Sequence, residues 1–111
     1  MEGRGLMRDA REYDVYFPLR YNDGRPVEDE KLTALKERLK DRFGGLTFFP
    51  QQNEGVWKIG TVTFCEEIVI LRILAEETRP AREFFLDLKE ELKRDLDQEE
   101  VLIVERKVEI L

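Results

Sequence analysis

The run Ile68-Val69-Ile70-Leu71-Arg72-Ile73-Leu74-Ala75 limits the fold more than any other stretch of this chain. Its β-branched and aliphatic residues mark a strand, and neither alternate set is polar. Ile68, Ile70 and Leu74 fall on one face; Val69, Leu71, Ile73 and Ala75 fall on the other. Only Arg72 interrupts. Such a strand belongs inside a sheet with both faces covered. The chain has 111 residues, enough for one domain with a single core.

The other elements follow from period and punctuation. Tyr13 to Arg20 alternates apolar and polar, which predicts a half-buried strand, with Pro18 at an edge or bulge. Asn22-Asp23-Gly24-Arg25-Pro26 is a turn. A helix is predicted from about Glu28 to Phe43, with Leu32, Leu35, Leu39 and Phe43 as its buried stripe and Gly44 as its left-handed C-cap. Leu46 to Gln51 reads as an edge strand because of Pro50, and Val56 to Phe64 as a strand broken at Gly60. Thr78 caps a second helix running to about Gln98, whose stripe is Ala81, Phe84, Phe85, Leu88, Leu92 and Leu96. A last strand is predicted over Val101 to Leu111. This order predicts an α+β, ferredoxin-like β-α-β-β-α-β fold: a four-stranded antiparallel sheet, two helices on one face, and a short strand insert near 52–65. The Tyr13 and Ile68 strands would be central. Residues 1–11 are expected to be a flexible tail and 12–111 the single domain.

Composition narrows function. Charged residues make up 40% of the chain and the net charge is -6. Acids and bases are interleaved, and no basic run gathers on one segment, which disfavours nucleic-acid binding. There is no histidine and one cysteine, Cys65. No catalytic residue, metal site or cofactor is assigned on that basis. No apolar segment is long enough for a signal or a membrane span, so a cytoplasmic location is expected.

Four residues stand out as candidate binding groups. Trp57, the only tryptophan, sits between Glu54-Gly55 and Lys58 and could wall a pocket or anchor an interface. Arg72 and Arg106 each interrupt an apolar face, and a buried arginine needs a carboxylate partner or an anionic ligand. Glu54 neighbours Trp57. The pairs Glu66-Glu67 and Glu76-Glu77 read as solvated ends of the central strand, because adjacent strand residues point to opposite faces. Gly44-Gly45 follows a helix rather than preceding one, so it is a cap and not a phosphate cradle. Lys58 to Phe64 matches an RNA-recognition strand only at Gly60, Val62 and Phe64.

Asn22-Asp23-Gly24, Arg42-Phe43-Gly44-Gly45-Leu46-Thr47, Gly55-Val56-Trp57 and Gln98-Glu99-Glu100-Val101 together resemble a family of small bacterial proteins of unknown function. The resemblance spans roughly Tyr13 to Leu111. It implies a ferredoxin-like unit and no activity.

The leading expectation is a non-enzymatic, dimerising accessory protein. It would form a homodimer through the open sheet face and could contact another protein. The alternative is a small-molecule binder or enzyme with a pocket between the sheet and the Trp57 insert. A third reading is an RNA- or DNA-binding module, which the acidic charge disfavours.

Overall fold

The computed structural model describes residues 9–111. The elements are β1 (Asp9–Pro18), α1 (Asp29–Phe43), β2 (Thr47–Ile59), β3 (Val62–Glu76), α2 (Arg79–Asp95) and β4 (Ile103–Glu109). All pairings are antiparallel, in the order β2-β3-β1-β4, so β1 and β3 are central as expected. The expected tail overlaps the start of β1 at Asp9–Arg11; residues 1–8 lie outside the described residues.

The ferredoxin-like expectation is corrected. No separate short insert occupies 52–65. β2 and β3 instead run on as one long hairpin, turned at Gly60, whose φ of 61° lies in the left-handed region. The register of β2 shifts between Phe49 and Asn53, where Pro50 cannot donate a ladder hydrogen bond. The shift divides β2 into two ladders. The result is five antiparallel strand segments curled into a half-barrel beside two helices, still an α+β fold. Pro18 is also placed differently: it is buried at the end of central β1, opposite Ile68, where the β1–β3 ladder stops.

The sheet's helix-side face supplies the core. Tyr13, Val15 and Phe17 of β1 and Val69, Leu71 and Ile73 of β3 meet Leu35 and Leu39 of α1 and Phe85, Leu88 and Leu92 of α2. Tyr13 stacks on Phe85 with ring centroids 4.0 Å apart. Both helix termini match their sequence signals. Gly44 has φ 87° and its N–H bonds the Lys40 carbonyl at 2.7 Å. Thr78 Oγ1 accepts from the Ala81 N–H at 3.3 Å.

The other face is less apolar than the β3 sequence suggests. Its centre is an ion cluster. Arg72 donates to both carboxylate oxygens of Asp14, at 2.9 and 3.0 Å. Arg106 donates to Asp14 at 3.1 Å and to Glu12 at 2.9 Å. Asp14 is 1% exposed. Burial alone would raise its pKa, but the hydrogen bonds and charges of the two guanidiniums outweigh that and hold it below the ordinary value. Arg72 also lies over the Phe49 ring, 5.0 Å from its centroid.

The cluster yields a stability prediction. The folded pKa of Asp14 lies below the unfolded one, so its ionised form adds stability above about pH 4, and this is lost as pH falls through the folded value. Asp14→Asn should destabilise by about 2 kcal/mol at neutral pH, since it leaves two arginines unpaired. In urea melts the gap between wild type and variant should close as pH drops below about 4.

Candidate functional site

The chain from Arg20 to Val27 closes a tight loop beside the sheet. Tyr21 N–H bonds the Arg25 carbonyl at 2.8 Å, Gly24 N–H bonds the Tyr21 carbonyl at 2.9 Å, and Asp23 Oδ1 accepts from the Arg25 N–H at 3.0 Å. Gly24 needs its φ of 90°, which a side chain would strain. Asn22 ties this loop to the end of α2 by donating to the Asp97 carbonyl at 2.9 Å. Buried Gln98 then reaches the carbonyls of Leu96 and Arg20.

Between this loop, the Gln98-Glu99 segment and the base of the β2–β3 arm lies a pocket of about 590 Å³. Four carboxylates line it: Glu54 from β2, Glu66 and Glu67 from β3, and Glu99. Tyr21, Thr63 and Cys65 complete much of the wall. Among the described residues Arg20 is its single lining cation, held by Glu67 at 2.9 Å and by the Gly24 carbonyl at 3.1 Å. Burial raises the pKa of Glu66, and no opposite charge offsets it. A carboxyl group shifted toward its neutral form inside a pocket is a familiar arrangement for proton exchange. A second groove of about 370 Å³ lies between α1 and α2, floored by Leu35, Leu88 and Leu92 and bridged by Arg38 and Glu91. It is a seam between helices whose charges are balanced in sign and already engaged, Arg38 with Glu91 and Lys31 with Tyr21 and the Asp95 carbonyl, so the acidic pocket is the candidate site.

The structure separates the four residues singled out from the sequence. Glu54 lines the pocket. Trp57 stands three residues further out along β2, its ring over Gly55, the residue directly across from Glu66. Arg72 and Arg106 belong to the Asp14 cluster. Arg20 and Glu99 carry no signal of their own in the sequence, Tyr21 shows there only a phenol able to donate a proton, and Glu66-Glu67, open to acid–base or cation-binding roles, reads as a solvated strand end. They lie inside β3, which begins at Val62. Gly60 and Thr61 form the hairpin turn, so the stretch compared with an RNA-recognition strand is split between two strands.

No family model matches the chain, and no curated protein does. Solved structures do. A phage SAM lyase in complex with S-methyl-5'-thioadenosine is 18% identical, with 99% of this chain and 95% of that chain covered and a TM-score of 0.61. A phage SAM lyase in its apo state is 21% identical, with 96% and 86% covered and a TM-score of 0.57. At such identities the likeness is one of fold. Both neighbours are enzymes, and against that finding the expectation of a non-enzymatic accessory protein is not kept. The pocket sits at the base of the arm rather than under a Trp57 insert. Among the described residues, no helix is long and apolar enough to cross a membrane.

The raised pKa of Glu66 has a measurable consequence. Its contribution to stability is present below about pH 4.3 and lost as pH rises through the folded value. Glu66→Gln carries no charge to desolvate. Its Tm relative to wild type should therefore rise between about pH 4 and pH 7 in calorimetric scans.

Proposed function

We propose that this chain is an enzyme that binds a sulfonium nucleoside of the S-adenosylmethionine class and cleaves a carbon–sulfur bond, releasing S-methyl-5'-thioadenosine. One observation carries the reading: the likeness to the phage SAM lyase runs end to end, over 99% of this chain and 95% of that one. The chemistry of the pocket supports it. A sulfonium carries a fixed positive charge, and four carboxylates against one arginine give the pocket a field that attracts it. The volume of about 590 Å³ suits a nucleoside-sized ligand.

When the C–S bond breaks, its electron pair stays on sulfur and the cation becomes a neutral thioether, while the carbon left behind gains a new bond, either to an oxygen of the arm's own carboxylate or, as a C=C bond, by loss of a neighbouring proton. The acids therefore hold the substrate more strongly than the product. They serve binding and release; the rate must come from fixing the reacting arm in a productive geometry. Where a proton is lost, a base must take it, and Glu66, whose raised pKa makes its carboxylate the more basic, is the group in this pocket best suited to accept it.

The resemblance to small bacterial proteins is compatible with this reading and adds no activity to it. A cytoplasmic location fits a free, exposed Cys65. We also propose that the chain forms a homodimer. Ile70 and Leu74 favour the open sheet face as its surface, while the charges of Glu12, Asp14, Arg72 and Arg106 at the centre of that face oppose it.

Purified protein incubated with S-adenosylmethionine should release S-methyl-5'-thioadenosine, followed by liquid chromatography. Glu66→Gln and Glu54→Gln should each lower kcat/KM by roughly tenfold or more. Release no faster than the spontaneous background, with no saturable binding, would sink the proposal.

A further inference from the structure

A smaller cleft, of about 170 Å³, lies on the helix side of the sheet between α2 and β4. Phe85 and Leu86 of α2 and Ile103 of β4 line its apolar part. Arg82 and Lys89 of α2 and Glu105 of β4 line the rest, and none of these residues lines the acidic pocket. Tyr13 of β1 also lines the cleft. It is 2% exposed, yet its hydroxyl makes no hydrogen bond to any described residue. Buried polar atoms are nearly always paired, and an orphan hydroxyl costs the free energy of a lost hydrogen bond. The nearest acceptor is taken. The β1–β4 register sets Glu105 directly across from Tyr13, but Arg82 and Arg11, the latter at 3.3 Å, hold that carboxylate. Burial, and then the charge of Glu105, raise the pKa of Tyr13, so the phenol keeps its proton and stays a donor.

We infer that this cleft binds a short-chain carboxylate, its head taken by the Tyr13 hydroxyl and the Arg82 guanidinium and its tail covered by Phe85, Leu86 and Ile103. The sign of the ligand follows from the donors. Two of the three charged lining groups are cations, and the one anion, Glu105, is already matched by two arginines. Arg82 gives Glu105 its Nη1, and a guanidinium has five N–H donors, so its fork is not exhausted. Lys89, paired with Glu100 at 3.1 Å, adds positive charge at the same wall. A carboxylate accepts from phenol and guanidinium together, and both bonds are charge-assisted. An alcohol would pair with the phenol but bring no charge to Arg82, and an amine would be repelled by Arg82 and Lys89. The size follows from the volume. At about 30 Å³ for each water-sized group, the cleft takes roughly six non-hydrogen atoms, the size of butyrate. This guest is opposite in charge to the one the acidic pocket attracts.

Titration with sodium butyrate, followed by ¹H–¹⁵N NMR at an ionic strength held constant with chloride, tests the site. The amide signals of Tyr13, Leu86 and Ile103 should shift saturably, with a dissociation constant in roughly the millimolar range expected of so small a ligand. Tyr13→Phe and Arg82→Gln should each raise that constant roughly tenfold. Butanol and butylammonium, of the same length, should bind at least roughly tenfold more weakly than butyrate. Without butyrate, Tyr13→Phe should melt no lower than wild type, because it removes a hydroxyl that has no partner, and the same melt shows that the variant is folded. Shifts that do not saturate overturn the inference. So does binding indifferent to either substitution, butanol binding as tightly as butyrate, or a Tyr13→Phe protein that melts lower than wild type in butyrate-free buffer. The readouts are binding and melting rather than turnover, so the result stands apart from the chemistry of the acidic pocket.

Discussion

β3 carries two environments along one strand, and the rest of the molecule is arranged around that division. Over Ile68–Glu76 it is flanked by β1 and β2, and its odd-numbered residues enter the core against both helices. At Ile68 the β1 ladder ends at Pro18, which cannot extend it. From there outward β3 pairs with β2, although the Leu19 N–H still donates to the Glu67 carbonyl at 2.9 Å. Core and arm are thus continuous backbone, and the acidic pocket lies at the point where the strand leaves the body. Glu66 and Glu67 sit at that point for a geometric reason. They are the first β3 residues beyond the last β1 partner, close to the Arg20–Gly24 loop and still inside a hydrogen-bonded strand.

The ion cluster on the open face solves a packing problem that β3 creates. An arginine in the middle of an otherwise apolar strand would be costly without a carboxylate. The β1–β3 register places Asp14 opposite Arg72, and the β1–β4 register brings Arg106 to the same carboxylate. Both fingers of the Arg72 guanidinium are used, a bidentate geometry that lysine cannot reproduce. The same cluster makes the centre of this face polar. A second copy would have to desolvate four charges there.

The pocket and the cluster use charge in opposite ways. Around Asp14 each carboxylate is matched by a guanidinium within hydrogen-bond distance. Around Glu66 the acids outnumber the bases, and Arg20 is already taken by Glu67. Surplus negative charge in a concave, partly buried place disfavours its own ionisation and favours a cationic guest. Burial acts in the same direction on Glu66, whose pKa it raises. The second effect is the physical link between this pocket and a sulfonium substrate.

Local signals in the sequence were reliable where local physics decides. The Gly44 cap, the Thr78 cap, both helical stripes and the central positions of β1 and β3 could be read from period and residue type. So could the need of Arg72 and Arg106 for carboxylates, and the unsuitability of Gly44-Gly45 for phosphate. The extent of β3 could not. Thr63, Cys65, Glu66 and Glu67 lack the apolar pattern of a buried strand, and they are strand only because β2 pairs with them. The pocket was hidden for the same kind of reason. Arg20, Glu54, Glu66 and Glu99 are spread over most of the chain, and none is unusual in its own segment. Hydrogen-bond register, the turn at Gly60 and the Asn22–Asp97 tie bring them together. The sequence alone determined the two helices, the core segments of β1 and β3 and what their buried faces require, because those depend on neighbours within a few residues. Only the tertiary structure decided where the unpaired acids meet, because that depends on contacts between residues far apart in the chain.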